Sequence, residues 1–228
     1  MTYPKNPDSI VTKLFYPSGL TEKKIWEYYQ ENKNNIIEQN KNRNVMIFIL
    51  LDDGSLVVRK RWKEVPIKLT PSNYDEILSG RSISVNSLMR PIESIAIVDV
   101  DSSNFEHNKE ATKTVFRALS QKSSFIEECS IRYTGKTGFH IFCQLNKKMN
   151  INVIKIILKK LLINNNEVIS KYTVQSKRGS TKPNIDLTSN RVGGGFITLG
   201  SLSIFGLRCM EVNPNNIMSF KQLDAKIK

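Results

Sequence analysis

Cysteine is scarce and scattered. Cys129, Cys143 and Cys209 make neither a disulfide framework nor a CxxC metal knuckle, which predicts a reducing compartment and no structural zinc. Long apolar runs are also missing. The most apolar stretch, Val45 to Leu51, falls far short of the ~20 residues a membrane-spanning helix needs, and Met1 to Asp8 lacks the basic start and apolar core of a secretory signal. The expectation is an intracellular, cytoplasmic protein without a membrane partner. Acidic side chains are in deficit as well: 21 Asp and Glu face 34 Lys and Arg, leaving a formal net charge of +13. That excludes a neutral or acidic surface and favours a polyanionic partner, nucleic acid before anionic membrane. No internal repeat is visible, and low complexity is confined to Asn164-Asn165-Asn166. With 39% hydrophobic residues in 228, the chain can bury a real core as one large domain or two small ones.

Periodicity divides the chain at about residue 90. Thr21 to Asn40 sets Ile25, Tyr28, Tyr29, Ile36 and Ile37 at helical spacing behind a Thr21 N-cap, predicting one amphipathic helix. Val45 to Leu51, the turn Asp52-Asp53-Gly54 and Ser55 to Trp62 read as a β-hairpin whose second arm carries Arg59, Lys60 and Arg61. Thr70, Pro71 and Gly80 bracket a short helix. After Pro91 the pattern is regular: strand 94–100, helix 106–119, strands 129–133 and 139–145, helix 151–163 and strand 184–188. This β-α-β-β-α-β order predicts an antiparallel sheet with both helices on one face. The fold class expected is α+β, an N-terminal α/β module (1–90) packed on an RNA-recognition-motif-like module (91–228), the two forming a single domain.

Three places could carry chemistry. Strand alternation puts Asp99 and Asp101 on one side of the sheet, where the mutual repulsion of two carboxylates is relieved by a hard divalent cation. Thr134-Gly-Lys-Thr-Gly138 is a loop whose glycines permit close backbone approach and whose Thr134 and Lys136 can grip phosphate oxygens; it lacks Walker spacing. His140 follows it, on the face opposite Phe139 and Ile141. In Asn184 to Thr188, Asp186 alternates with Ile185 and Leu187 and adds a third carboxylate, with Arg191 close behind. Nucleotidyl transfer needs carboxylates holding two cations about 3.5 to 4 Å apart and cationic and hydroxyl groups around a triphosphate. Asp99, Asp101 and Asp186 can meet the first need, and Thr134, Lys136, His140 and Arg191 the second.

Those motifs, Ile97-Val-Asp-Val-Asp101, Thr134-Gly-Lys-Thr-Gly-Phe-His140 and Ile185-Asp-Leu187, resemble the three motifs of the archaeo-eukaryotic primase superfamily. Gly200 to Leu207 is similar to the segment after the third motif in that family, although Ser203 stands where the family usually has histidine. Thr12-Lys-Leu-Phe-Tyr-Pro17 and the helix from Thr21 are similar to the opening of the polymerase domains of bacterial and archaeal end-joining DNA ligases. The resemblance implies a primase-polymerase catalytic core, with Asp99, Asp101 and Asp186 as catalytic, metal-binding residues for two Mg²⁺ or Mn²⁺ ions. It implies a nucleoside triphosphate substrate held by Thr134, Lys136, Thr137, His140, Arg191 and Ser201. Lys13, Lys23, Lys24, Arg59, Lys60 and Arg61 would meet template or downstream DNA, including a 5′-phosphorylated gap or end. A DNA ligase, an end-binding protein or a helicase would be the partner, in a nucleoid-associated protein of cellular, viral or plasmid origin. Gap filling in end joining and primer synthesis are both compatible roles. Two other classes stay open from the residues: a metal-dependent nuclease, and a non-enzymatic nucleic-acid-binding module of RNA-recognition type.

Overall fold

A computed structural model describes residues 4, 6–121, 124–174 and 183–227. The chain opens with β1 (Ile10–Thr12) and β2 (Leu20–Thr21), then α1 (Glu22–Glu31), α2 (Lys33–Gln39), β3 (Val45–Leu50), β4 (Leu56–Arg59), β5 (Arg61–Trp62), β6 (Val65–Pro66), α3 (Tyr74–Ile77) and β7 (Ser82–Leu88). It continues through β8 (Ile92–Asp101), α4 (Phe105–Ser120), β9 (Ile126–Tyr133), β10 (Phe139–Asn150), α5 (Ile151–Ile163), α6 (Asn166–Lys171), β11 (Thr173–Val174) and β12 (Asn184–Asp186). It ends with β13 (Gly195–Ile197) and β14 (Met210–Val212). Among the described residues no helix is long and apolar enough to cross a membrane.

Two compact units emerge, and neither is a simple half of the sequence. One takes residues 1–88, 195–210 and 222–228; the other takes 89–194 and 211–221. Segments 195–210 and 222–228, expected in the second module, therefore lie with the first. The first unit contains a four-stranded antiparallel sheet in the order β13-β7-β3-β4, and Leu20, Ile25, Tyr29, Ile36, Val45, Ile47, Ile67, Tyr74 and Val85 form its buried core.

Three local expectations for this unit need correction. The helix read over Thr21 to Asn40 is broken at Asn32, which ends α1 and starts α2; its side-chain amide donates to the Tyr28 carbonyl at 2.8 Å, competing with the helical ladder. Thr21 does cap α1, accepting from Lys24 N. The helix expected from Thr70 shrinks to the single turn of α3, because Thr70 and Asn73 use their side chains on each other's backbone amides and hold residues 70–73 as a turn. Finally, the basic arm is interrupted at Lys60: Arg59 ends the edge strand β4, while Arg61 and Trp62 form a separate two-residue ladder with Val65 and Pro66. Lys63 (φ 49°) and Glu64 (φ 64°) turn that small hairpin with two left-handed residues, the geometry that matches strand twist.

The second unit holds the expected β-α-β-β-α-β core. Its sheet runs β11-β12-β8-β10-β9-β14, so the four central strands have the interleaved order of a ferredoxin-like sheet. All their pairings are antiparallel. Helix α4 packs on β8, β9 and β10, and α5 on β8 and β10. The buried side chains Val98, Val100, Ile131, Tyr133, Phe139, Ile141 and Ile185 alternate along their strands with polar residues that project to the other face.

Candidate catalytic face

Register places a polar row on the sheet. Asp186 on β12 lies opposite Asp99 on β8, Asp99 lies opposite His140 on β10, and His140 lies opposite Arg132 on β9. Directly opposed residues of antiparallel strands sit about 4.5 to 5.5 Å apart and project to one face. Two carboxylates, an imidazole and a guanidinium thus span four consecutive strands. Asp101, two residues along β8 and opposite Asn184, projects to the same side.

Each acid is held by a neighbour. Asp186 accepts from the Thr188 amide at 2.7 Å and the Thr188 hydroxyl at 2.8 Å, while Asp101 accepts from the Thr137 hydroxyl at 2.9 Å. Asp99 Oδ1 lies 3.6 Å from His140 Nε2. His140 is only 7% exposed. Burial, and then the positive charge of Arg132, pull it down from its usual 6.5 to about 4, so the ring is neutral near neutral pH. Its contact with Asp99 is then a neutral packing contact beyond hydrogen-bond range, and Nδ1 finds no hydrogen-bond partner among the described residues.

The Thr134–Gly138 loop is tied to the same strand end. Thr134 donates through its amide and its hydroxyl to Gly138 O, at 3.1 and 3.0 Å, and Gly135 takes a left-handed φ of 82°. A Cβ on Gly138 would meet Val100 O at 2.9 Å and Asp101 Oδ1 at 3.1 Å, so only glycine lets the loop lie this close to the acid. Asn108 of α4 fixes the arrangement. Fully buried, it donates to Thr137 O at 2.9 Å and Ser102 O at 3.1 Å, and accepts from the Ser102 hydroxyl at 2.7 Å. Lys136 and Arg191 are exposed cations in this unit.

Several expected roles change. The Thr137 hydroxyl is committed to Asp101, so it orients a carboxylate and is not a free phosphate ligand. Ser201 is withdrawn as a nucleotide contact. It is fully buried in the first unit, where its hydroxyl accepts from Val85 N at 2.7 Å and donates to Leu202 O at 3.1 Å. His140 contributes no positive charge. Lys13, Lys23, Lys24, Lys60 and Arg61 are exposed in the first unit; Lys23 lies 3.9 Å from Glu27, and the Arg59 guanidinium sits 5.2 Å above the Trp62 ring.

Three residues that sequence reasoning passed over matter here. Arg132 faces His140, with its guanidinium carbon 3.8 Å from the Phe142 ring centroid and Nε 3.7 Å from Glu211. Strand alternation in Cys129 to Tyr133 could have flagged it as a charge between two apolar residues. Asn108 and the fully buried Asn190 carry no sequence signal of this kind. Asn190 Oδ1 accepts from Ile97 N at 2.9 Å, and its amide donates to Ile97 O and, at 3.3 Å, to Leu187 O. It supplies the partners that a longer β12 would have given to β8.

The donor set suits a hard divalent cation, since three carboxylates from two adjacent strands share one face and offer only oxygen. Among the described residues no three His, Cys, Asp or Glu side chains already converge on one point.

The chain resembles a solved structure, the polymerase domain of Ligase D from Mycobacterium tuberculosis in complex with DNA. The match has a TM-score of 0.74 and covers 95% of this chain and 88% of that one. The chain shares the fold of that polymerase domain over nearly its whole length. Identity is 12%, so the likeness lies in the fold. No protein-family model and no curated protein matches the chain.

Proposed function

We propose that this protein is a metal-dependent, template-directed nucleotidyltransferase of the primase-polymerase kind, adding nucleotides to a primer 3′-hydroxyl with release of pyrophosphate. The observation that carries the reading is the register opposing Asp186 to Asp99, with Asp101 on the same face beside a glycine-bearing loop. Asp99, Asp101 and Asp186 would hold Mg²⁺ or Mn²⁺. Such ions, when bound, supply the charge that acidifies the primer hydroxyl and neutralises the triphosphate. Lys136 and Arg191 would bind the triphosphate, gaining most as charge develops on the leaving pyrophosphate, while the Thr134 hydroxyl, spent on Gly138 O, would shape the loop. His140 would buttress Asp99 as a neutral ring, held so by burial and then by the charge of Arg132. Arg59, Lys60 and Arg61, with Lys13, Lys23 and Lys24, would meet DNA phosphates. The net charge of +13 supports a DNA partner, as does the matched polymerase domain, itself solved with DNA.

Extension of a labelled primer on a template, with ribo- or deoxyribonucleoside triphosphates and Mg²⁺ or Mn²⁺, tests this. Wild-type protein lengthens the primer, and Asp99→Ala, Asp101→Ala and Asp186→Ala each lose the activity. Shortened products without triphosphate would instead identify a nuclease. A gap carrying a 5′-phosphate, if it stimulates extension through Lys13, would assign the activity to end repair.

A further inference from the structure

The second unit brings two of the three cysteines together. Cys129 on β9 and Cys143 on β10 are directly opposed in register, and their sulfurs are 3.3 Å apart. Directly opposed residues in antiparallel strands have Cα separations of about 4.5 to 5.5 Å, within the window of about 4.4 to 6.8 Å that a disulfide requires. Sequence spacing gave no hint of this, since fourteen positions separate the pair and only the strand register makes them neighbours. Both sulfurs lie on the sheet face opposite His140, which sits three positions before Cys143 on β10.

We propose that Cys129 and Cys143 form a reversible dithiol–disulfide couple, oxidised by low-molecular-weight disulfides, with Cys129 as the attacking thiol and Cys143 as the resolving one. Accessibility divides the roles. Cys143 is fully buried, whereas Cys129 is half-buried and so the one a small oxidant reaches. The electrostatics agree. In the neutral pair Cys129 donates to Cys143, but once Cys129 ionises the bond reverses, and the Cys143 thiol donating to the thiolate lowers the Cys129 pKa, assisted by the Ser120 hydroxyl. The same partnership, together with burial, pushes Cys143 well up. Nucleophilic character thus resides on the sulfur that is open to attack.

The chemistry balances in two exchanges. The Cys129 thiolate attacks an RS–SR disulfide, forming a Cys129–SR mixed disulfide and expelling RS⁻. Cys143, giving up its proton, then attacks the Cys129 sulfur and expels the second RS⁻. Net, two protein thiols become one disulfide, and RSSR becomes two RSH. A structural zinc site is a poorer reading, because such sites take four ligands and no third His, Cys, Asp or Glu gathers here among the described residues. In a reducing compartment the dithiol is the resting form and the bridge is transient.

The test uses the full chain, reduced, freed of reductant and incubated natively with glutathione disulfide. Thiols are then titrated after denaturation, and non-reducing peptides are mapped by mass. Titratable thiols should fall from three to one, and the intact mass by about 2 Da, the two hydrogens lost in forming one S–S bond. A Cys129–Cys143 linked peptide should appear, and dithiothreitol should restore all three thiols. Cys209→Ser should oxidise like the wild type, and Cys129→Ser should form no intramolecular bridge. Three remaining thiols, a persistent glutathione adduct on Cys129, or a bridge involving Cys209 would each overturn the proposal. The wild-type map decides the matter even if a variant folds poorly.

Discussion

Replacing Asn190 by leucine keeps the branching and heavy-atom count of the side chain while removing the polar group that completes the edge of β8. Asn190 is fully buried and serves both the N–H and the C=O of Ile97. Leaving a buried main-chain group without a partner costs about 1 to 3 kcal/mol. Two such groups give about 2 to 6 kcal/mol, and the extra apolar surface of leucine offsets part of it, so about 3 kcal/mol is the expected net loss. For a chain of this length that lowers the melting temperature by about 6 to 12 °C. Ile97 lies two residues before Asp99 on the same side of β8, so primer extension should fall with the stability. Thermal melts of wild type and Asn190→Leu, with denaturant titrations for the free energy, make the comparison. A loss under about 1 kcal/mol would show that Ile97 finds other partners and that Asn190 does not stand in for a longer β12.

Asn108→Ala should cost about 1 to 2 kcal/mol, because it leaves the partly buried Ser102 and Thr137 carbonyls without their amide donor, and should raise KM for the triphosphate more than it weakens DNA binding; equal effects on both would count against a loop-positioning role. His140, held at about 4 when folded against 6.5 when unfolded, makes the unfolded chain the stronger proton binder between those values. Stability is therefore full above about pH 6.5 and should decline by about 3 kcal/mol as the pH falls to about 4; denaturant titrations in chelator should show less decline for His140→Gln, and identical slopes would refute the assignment. Alanine at Arg59, Lys60 and Arg61 together should reduce the log–log salt slope of DNA binding by about 2 to 3, each phosphate contact contributing about 0.9; an unchanged slope would remove this hairpin from the DNA surface.

Local pattern carried the second unit well. The period of α5 and the alternation in β8 and β10 arise from neighbouring residues, so Ile151–Ile163 and the facing of Asp99, Asp101 and His140 could be read from a single stretch. What pairs with what could not. The opposition of Asp186 to Asp99, of Arg132 to His140 and of Cys129 to Cys143 depends on register between distant segments, which no local period encodes. Polar side chains that replace backbone partners were equally hidden: Asn32 interrupts a good helical period, Thr70 and Asn73 spend a helix start on a turn, and Asn190 imitates a strand. Ser201 misled for the same reason, because a serine on a motif-like tail reads as exposed until its hydroxyl is seen inside a core.

The most direct test of the acidic face is Mn²⁺ binding followed by electron paramagnetic resonance, with a non-hydrolysable nucleoside triphosphate present. Wild-type protein should bind the ion, and Asp99→Asn, Asp101→Asn and Asp186→Asn should each weaken binding by at least about tenfold, about 1.4 kcal/mol. Equal affinity in all four proteins would contradict the claim that these three carboxylates form one metal-dependent catalytic centre.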